Sequence, residues 1–285
     1  MKQLLLLSGK GGTGKTTVAT CLIQLSNAKA YADCDVDAPN LHLVMGDFEE
    51  EASRPYYDLP KAVIDPALCT DCDRCYQVCR FDAVKNEPSY EIIPHLCEGC
   101  SFCYHVCPTG AITLQKTVAG TIELKKRGEE TFSTATLKMG SGTTGLLVSE
   151  VKRQIKDKAS FAILDGSPGI GCPVIASLTG VDYALMVAEP SVSGVSDLKR
   201  VVQNARQLQV PVGVIVNKSD VNEELTTVIK TYCSEEGLSF LGTIPYDKAV
   251  ITAVNEGKSL LEGEGPARSA VIEIYHTVMK ELAAL

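Results

Sequence analysis

The chain has 285 residues, of which 45% are hydrophobic and 22% are charged, and its formal net charge is −8. This composition is typical of a globular protein with a sizeable core, and its acidic balance disfavours non-specific nucleic-acid binding, which requires a basic surface. The four leucines at Leu4–Leu7 are too few for a secretory signal, and no later apolar run approaches the length of a membrane span. We therefore predict a cytoplasmic protein with no nucleic-acid or membrane partner.

The predicted elements alternate between strand and helix. The chain opens with a buried strand, a helix and a second strand, over Lys2–Leu7, Thr16–Leu25 and Ala28–Cys34. Later strands are predicted over Phe161–Asp165, Tyr183–Glu189, Val212–Asn217 and Phe240–Ile244. The helices between them are predicted near Val174–Leu178, Val195–Leu208 and Glu223–Glu236. This alternation predicts an α/β fold with a doubly wound, mostly parallel sheet covered on both faces.

The segment from about Tyr57 to about Thr117 interrupts the alternation. It contains eight cysteines in two similar runs, and 28 residues separate Cys69 from Cys97 and Cys79 from Cys107. We interpret residues 58–116 as a small module with an internal repeat, inserted into a larger domain formed by residues 1–57 and 117–285. The stretch Gly120–Met139 is predicted to be a hairpin that returns to the larger domain's sheet.

A glycine-rich loop follows the first strand and fits the phosphate-binding pattern G-x4-G-K-S/T between a strand and a helix. Glycines allow backbone N–H groups to approach phosphates closely, and the positive end of the helix adds to the attraction. We predict that Lys15 contacts the β- and γ-phosphates and that the Thr16 hydroxyl binds Mg²⁺. The predicted nucleotide-binding residues of the loop are Gly9, Lys10, Gly11, Gly12, Thr13, Gly14, Lys15, Thr16 and Thr17.

Polar residues also close three of the predicted strands. Asp33 and Asp35 end the second strand, and Asp165 ends an apolar strand of the Walker B form, which places it beside the metal. Asp37 is interpreted as a solvated or capping residue. Asn217–Asp220 fits the pattern N-K-x-D, which could recognise guanine, but a pattern of four residues is weak alone.

Each cysteine run reads C-x2-C-x2-C-x3-C, the pattern of bacterial ferredoxins with two [4Fe–4S] clusters. In that pattern the fourth cysteine of each run binds the other cluster. The two expected ligand sets are therefore Cys69, Cys72, Cys75 and Cys107 for the first cluster, and Cys97, Cys100, Cys103 and Cys79 for the second. Two zinc sites are the alternative, although zinc sites favour C-x2-C pairs separated by a longer spacer.

The second lysine of the loop, Lys10 in KGGTGKT, resembles the deviant Walker A signature of the MinD/ParA/Mrp superfamily of P-loop ATPases. The whole chain resembles members of that superfamily that contain an inserted ferredoxin domain. The resemblance implies that Lys10 reaches the phosphates of a partner in an ATP-dependent homodimer, or in a heterodimer with a paralogous ATPase. It also implies that Asp35 orients the attacking water, that Asp33 lies near Mg²⁺, and that Asn217 contacts adenine, which favours ATP over GTP.

The remaining cysteines are interpreted separately. Cys21, Cys34 and Cys233 fall on apolar faces and are predicted to be core residues. Cys172 lies seven residues after Asp165, an offset at which the nitrogenase iron protein of the same superfamily binds a cluster between subunits. That protein needs a second cysteine, which is missing between Thr109 and Cys172 here, so we expect a reduced, partly buried thiol, with an interfacial metal or cluster as the alternative.

Three functions are consistent with this resemblance. The first is an ATP-gated electron carrier that passes electrons through two clusters to a redox partner, and the second is an Mrp-like ATPase for iron–sulfur cluster or metal-cofactor assembly. The third, a MinD- or ParA-like positioning ATPase, is disfavoured because the C-terminal helix lacks a basic cluster. Its apolar residues Val271, Ile274, Val278 and Leu282 predict core packing. Permanent, fully ligated clusters favour electron transfer over assembly. In each case we expect Mg²⁺-dependent ATP hydrolysis that is slow without the partner.

Overall fold

The structure is a computed structural model that describes residues 1–285. Its strands are, in chain order, β1 (Lys2–Leu7), β2 (Ala30–Asp33), β3 (Glu49–Tyr57), β4 (Lys61–Ile64), β5 (Val84–Lys85), β6 (Glu91–Ile92), β7 (Ile112–Gln115), β8 (Val118–Arg127), β9 (Glu130–Leu137), β10 (Phe161–Asp165), β11 (Tyr183–Ala188), β12 (Val212–Asn217) and β13 (Ser239–Ile244). Its helices are α1 (Lys15–Ser26), α2 (His42–Met45), α3 (Arg74–Val78), α4 (Phe102–Val106), α5 (Thr144–Gln154), α6 (Cys172–Leu178), α7 (Val192–Gln207), α8 (Glu223–Glu235), α9 (Lys248–Asn255) and α10 (Pro266–Ala284).

Nine strands form one sheet in the order β13-β12-β11-β1-β10-β2-β9-β8-β3. The neighbours from β13 to β9 pair in parallel, which confirms the mostly parallel α/β sheet predicted from the alternation of elements. β1 shows why the prediction succeeds, because Leu4, Leu5, Leu6 and Leu7 are all at most 1% exposed. A parallel strand covered on both faces requires such an unbroken apolar run.

The sheet topology also determines where a ligand can bind. The strands that follow β1 in the chain lie on both sides of it, with β10 on one side and β11 on the other. The carboxyl ends of parallel strands meet at one edge of the sheet, and ligands bind outside that edge where the strand order reverses. The glycine-rich loop, Asp33, Asp165 and Asn217 all stand at this edge.

The chain forms two compact units. The first comprises Met1–Ser53, Ile122–Ala135 and Gly145–Leu285, and the second comprises Arg54–Thr121 and Thr136–Thr144. The edge strand β3 was not predicted from the sequence, because its charged residues and Pro55 show no apolar alternation. It lies at the edge of the sheet, where every residue except Tyr56 is exposed, so no such pattern is needed.

Most of the predicted core residues are confirmed. Val271, Ile274, Val278 and Leu282 of α10 are at most 3% exposed and belong to the main hydrophobic core. Cys21, Cys34 and Cys233 are fully buried. The expectation of a partly buried Cys172 is wrong, because this residue opens α6 and is exposed. No helix combines the length and the apolar character needed to cross a lipid bilayer.

The second unit contains two small antiparallel pairs, β4 with β7 and β5 with β6. The 28-residue repeat reappears as matching hydrogen bonds, since Asp65 N–H donates to the Ala111 carbonyl at 2.8 Å and Ile93 N–H donates to the Ala83 carbonyl at 2.7 Å. Each bond joins one half of the repeat to the other half. This crossed connection explains how the last cysteine of each run can lie beside the opposite run.

Candidate nucleotide site and cysteine cavities

The glycine-rich loop joins β1 to α1 in a conformation that side chains would disturb. Gly14 has a φ of +89°, which favours glycine, and a Cβ at this position would overlap the Asn217 amide nitrogen. A Cβ at Gly9 would overlap the Asp197 side chain. The loop is therefore folded tightly against residues that follow other strands of the sheet.

Lys15, Thr16 and Asp165 meet beneath the loop. The buried Lys15 ammonium forms an ion pair with one Asp165 carboxylate oxygen, and the Thr16 hydroxyl donates to the other at 2.6 Å. Asp165 is fully buried. The sequence predicted these three residues as phosphate and Mg²⁺ contacts, and the fold brings all of them together.

The Asp33 carboxylate accepts hydrogen bonds from backbone N–H groups of the following loop. It accepts N–H bonds from Asp35 at 3.0 Å, from Asn40 at 2.8 Å and from Leu41 at 3.0 Å. Burial and the nearby Asp165 raise the pKa of Asp33 above its ordinary value, against the opposing effect of these N–H bonds. Asp33 therefore anchors the loop that presents Asp35.

Asp35 itself is only half-buried and faces a cavity of about 390 Å³ beside the glycine-rich loop. Burial raises the pKa of Asp35, and the nearby Lys15 ammonium opposes the rise. The other residues that line this cavity are Ser8, Gly11, Gly12, Thr13, Gly14, Lys15, Thr16, Thr17, Asn40, Leu43, Val44, Pro168 and Val254. The volume lies within the range of small-molecule binding pockets.

A second, more apolar cavity of about 290 Å³ shares Gly12, Gly14, Thr17 and Val254 with the first. Asn217 lines it and donates its side-chain amide to the Thr13 carbonyl at 2.7 Å. The other residues that line it are Val18, Lys218, Ile244, Pro245, Tyr246, Asp247, Val250, Ile251, Asn255, Leu260 and Val271. One polar cavity next to one apolar cavity suits a molecule with phosphates at one end and a flat base at the other.

Asp220 is not among the residues that line either cavity. Its carboxylate accepts the Tyr246 N–H at 2.6 Å, so it fixes the backbone of the segment that follows β13. Of the four N-K-x-D residues, Asn217 and Lys218 reach the apolar cavity.

Lys10 is held within its own subunit. Its ammonium lies 2.8 Å from a Glu189 carboxylate oxygen and 3.1 Å from the Ser191 hydroxyl. Lys218 binds the other Glu189 oxygen at 3.1 Å. Burial alone would raise the pKa of Glu189, but the hydrogen bonds from both lysines outweigh it and hold that pKa below its ordinary value. Sequence reasoning missed Glu189, although its position directly after the buried strand β11 was an available signal.

In the second unit, the eight clustered cysteines line two small cavities, four to each. The first is lined by Cys69, Cys72, Cys75 and Cys107, and the second by Cys79, Cys97, Cys100 and Cys103. The other lining residues are largely apolar at the second cavity and mixed at the first, and five cysteines of the two sets belong to or pack against the small hydrophobic core of this unit. No three His, Cys, Asp or Glu side chains converge closely enough to hold one metal ion.

The thiols influence one another. Burial, together with the nearby Cys97 and Cys100, raises the pKa of Cys103 to about 11. In the first cavity burial raises the pKa of Cys75, whereas hydrogen bonds with residues 109–112 outweigh burial and lower the pKa of Cys107.

Comparisons with known proteins agree with this geometry. Residues 4–261 match the model of the family described as CobQ/CobB/MinD/ParA nucleotide binding domain. An uncharacterized protein of Methanocaldococcus jannaschii, MJ0578, is 33% identical over 277 residues, covering 96% of this chain and 95% of its own. An iron-sulfur cluster carrier protein of Pyrococcus abyssi is 24% identical over 303 residues, with 98% and 86% covered.

Among solved structures, the septum site-determining protein MinD of Pyrococcus horikoshii, in complex with Mg-ADP, has a similar fold. Its TM-score is 0.60 at 18% identity, with 99% of this chain and 98% of that chain covered. The fold, the glycine-rich loop and the family match lead to one conclusion. The chain belongs to the CobQ/CobB/MinD/ParA family and has its nucleotide-binding P-loop ATPase fold.

Proposed function

We propose that this protein is an ATP-gated electron carrier, in which ATP-driven closure of a dimer controls electron transfer through two [4Fe–4S] clusters. The observation that carries the proposal is the division of eight cysteines into two cavities of four thiols, in a chain that also has a complete phosphate-binding loop. Four thiols around one space suit a [4Fe–4S] cluster, because such a cluster would be held by four cysteine thiolates.

The residues present fit both clusters. Cys69, Cys72, Cys75 and Cys107 would hold the first, and Cys79, Cys97, Cys100 and Cys103 would hold the second. A bound [4Fe–4S] cluster supplies one-electron chemistry at low potential. The chain's own contribution is to exclude water with apolar neighbours, such as Ile64 and Ile112 at the first cavity and Phe81 and Ile92 at the second.

The residues also fit ATP with Mg²⁺. Lys15 and Thr16 bind Asp165 directly, and these are the three groups that a nucleotide's phosphates and its metal would separate. Lys15 would then neutralise phosphate charge, while Thr16 and Asp165 would hold Mg²⁺. Asp33 would support this arrangement by fixing the loop that carries Asp35, the group proposed to orient the attacking water.

Closure of the dimer would change the partner of Lys10. In the free subunit its charge is compensated by Glu189, so reaching the phosphates of a second subunit requires breaking that ion pair. The negative charge of ATP on the partner attracts the Lys10 ammonium more strongly than a single carboxylate does. ADP, which has no γ-phosphate, attracts it less strongly than ATP. The exchange thus makes closure depend on the γ-phosphate.

Removing the Lys10 ammonium should prevent closure without preventing nucleotide binding. We expect Lys10→Ala to stay monomeric with a non-hydrolysable ATP analogue and to bind it within about threefold of the unmodified protein, because Lys15 is unchanged. Glu189→Gln should act in the opposite direction and dimerise at lower nucleotide concentration. Analytical ultracentrifugation under anaerobic conditions measures both, and a dimer of Lys10→Ala would contradict the proposed exchange.

Asp35 should affect hydrolysis rather than binding. We expect Asp35→Ala to bind ATP normally but to hydrolyse it at least about 100-fold more slowly, since the attacking water loses its orienting group. Phosphate release and ATP affinity are measured on the same sample. Asp37→Ala is the matched control, because Asp37 is exposed and should leave both values unchanged. Hydrolysis by Asp35→Ala at the unmodified rate would refute this role.

The base specificity should not depend on Asp220, whose carboxylate already accepts the Tyr246 N–H. We therefore expect a preference for ATP over GTP that Asp220→Asn retains, although the variant should lose some thermal stability. Competition between labelled ATP and unlabelled GTP measures the preference. Tight GTP binding that Asp220→Asn abolishes would show that the N-K-x-D segment recognises guanine.

Cluster assembly is the second candidate function, and the likeness to an iron-sulfur cluster carrier protein favours it. Anaerobic iron and sulfide assays test the cluster content shared by both candidates, with about eight of each expected per chain. Incubation with a cluster-free acceptor protein separates them. A carrier releases its clusters to the acceptor, whereas an electron carrier retains them through reduction and reoxidation.

A further inference from the structure

We propose that Asp58 clasps the segment Lys138–Thr144 and that this clasp transmits the nucleotide state to the Cys97–Cys100 loop. The nucleotide then acts on the second cluster, bound by Cys79, Cys97, Cys100 and Cys103, and leaves the first cluster unaffected. The inference rests on the proposed electron-transfer function and deepens it by naming the residues that connect ATP to one cluster.

The clasp itself is a buried carboxylate with several donors. Asp58 is 9% exposed and accepts hydrogen bonds from Gly142 N–H at 3.0 Å, from Leu59 N–H at 2.6 Å and from the Thr143 hydroxyl. The Thr143 oxygen lies 2.8 Å from the Tyr56 hydroxyl. Burial would raise the pKa of Asp58, but these hydrogen bonds and the Lys61 ammonium hold it below its ordinary value, so the clasp is ionised.

The clasp leads directly to the Cys97–Cys100 loop. The Lys61 ammonium, three residues after Asp58, donates to the Cys97 carbonyl. A Cβ at Gly99 would lie 2.7 Å from Leu59 Cβ and 2.9 Å from the Pro60 carbonyl oxygen. The backbone at Gly99 is therefore in close contact with residues 59 and 60. A displacement of residues 58–61 must therefore displace the loop that carries Cys97 and Cys100.

A second contact reaches the same loop from Gly142. A Cβ at Gly142 would lie 2.7 Å from a Glu98 carboxylate oxygen, so Glu98 rests against this glycine. Glu98 lines the second cysteine cavity. Neither cavity is lined by residues 54–61 or 138–144 themselves, but Cys97 and Glu98, which Lys61 and Gly142 contact, line the second cavity and not the first. The asymmetry between the two cavities is the basis for assigning the effect to one cluster.

The segment continues into the ATPase unit through helix α5, which begins at Thr144. A Cβ at Gly145 would lie 3.2 Å from the carbonyl oxygen of Cys172, the first residue of α6. The residues before α6 are tied to the phosphate loop, since Gly169 N–H donates to the Ser8 carbonyl at 3.0 Å. A shift of residues 166–171 when phosphate binds can therefore move Cys172, and Cys172 can displace Gly145. Residues 138–144 directly precede Gly145 in the chain, so the displacement can pass to them.

The consequence for the second cluster is electrostatic. Movement of residues 58–61 and 142 changes the positions of the Lys61 ammonium and the Glu98 carboxylate, two opposite charges beside the Cys97–Cys100 loop. The potential of an iron–sulfur cluster responds to nearby charge, hydrogen bonds and solvent exposure. ATP should therefore shift the potential of this cluster more than that of the other.

The test uses the full chain, purified anaerobically with both clusters. EPR-monitored redox titrations compare a non-hydrolysable ATP analogue with ADP, and Glu98→Gln identifies the second cluster, because it removes a charge at that cavity alone. Hydrogen–deuterium exchange of residues 97–101, measured in the same two states, gives a readout that is independent of potential. The variants are Asp58→Asn and Thr143→Val, and the second keeps the carboxylate if the first fails to fold.

In the unmodified protein we expect nucleotide-dependent changes in the potential of the second cluster and in exchange of residues 97–101. Both variants should lose these changes while binding the analogue within about twofold of the unmodified affinity. The control Asp73→Asn removes a carboxylate at the first cavity, which accepts the Tyr90 hydroxyl at 2.9 Å, and should retain them.

Two outcomes overturn the inference alone. One is a nucleotide-dependent shift in the potential of the second cluster that both clasp variants keep. The other is a shift in potential that is confined to the first cluster. If the unmodified protein shows neither a shift nor a change in exchange with nucleotide, the proposed gating is itself wrong, and the inference falls with it.

Discussion

Lys15→Ala is expected to weaken Mg²⁺·ATP binding by at least about 100-fold. Lys15 supplies a buried ammonium beneath the phosphate loop, where low solvent exposure strengthens its attraction to phosphate. Removing one partner of a buried charge pair costs about 2–5 kcal/mol, and 1.4 kcal/mol corresponds to a tenfold change in affinity. Isothermal titration calorimetry with a non-hydrolysable analogue measures the loss.

The same substitution leaves the Asp165 carboxylate buried without its ion-pair partner, so folding must be examined separately. Iron content and near-UV circular dichroism report whether Lys15→Ala retains its structure. Lys218→Ala is the matched control, because Lys218 also donates to a carbonyl of the loop, that of Gly12 at 3.2 Å, yet is not a proposed phosphate ligand. Lys218→Ala should change affinity by less than about fivefold, and similar losses in both variants would contradict the role assigned to Lys15.

Cys107→Ala is expected to reduce iron from about eight to about four atoms per chain, because the first cluster loses its fourth ligand. Double variants identify which cluster is lost. Adding Cys69→Ala should remove no further iron, since Cys69 and Cys107 line the same cavity, whereas adding Cys103→Ala should remove nearly all of it.

Cys172→Ala is the control for Cys107→Ala, because Cys172 is an exposed cysteine outside both cavities, and we expect it to retain all the iron. The opposite pattern of double variants, with four irons retained when Cys103 and Cys107 are both replaced, would show that sequence neighbours share a cluster. Zinc in place of iron would refute both ligand sets as cluster sites.

Local patterns predicted the nucleotide-binding half of the fold well. β1, β10 and β12 were predicted with the bounds they have in the structure, because buried parallel strands are continuous apolar runs bounded by polar residues. Residues at or after the carboxyl ends of these strands, including Lys15 and Asp165, meet because the strands are parallel, and the alternation of strands and helices in the sequence predicts that arrangement. The prediction of the nucleotide-binding family follows from the same features and is confirmed.

Features that depend on tertiary contacts were not predictable in this way. Glu189 carries no motif, and its pairing with Lys10 and Lys218 arises only when the ends of neighbouring strands meet. The backbone bonds to Asp33 depend on the path of residues 35–41, which spacing does not determine. Cys172 was expected to be partly buried, but its exposure depends on where α6 begins.

The arrangement of the cysteine runs was predictable in part. Their spacing predicted two ligand sets that cross the sequence repeat, and the two cavities contain the same two groups of four. The crossing has a physical cause in the bonds from Asp65 to Ala111 and from Ile93 to Ala83, which join opposite halves of the module. Occupation of these cavities by iron stays a prediction.

The coupling between nucleotide and clusters is tested most directly by the reduction potentials themselves. EPR-monitored redox titrations of the anaerobic protein are compared without nucleotide, with ADP and with a non-hydrolysable ATP analogue. We predict a potential that differs with the analogue, and a difference that Lys10→Ala abolishes while it still binds nucleotide. Identical potentials in all three states, in protein that contains about eight irons and hydrolyses ATP, would contradict nucleotide-gated electron transfer.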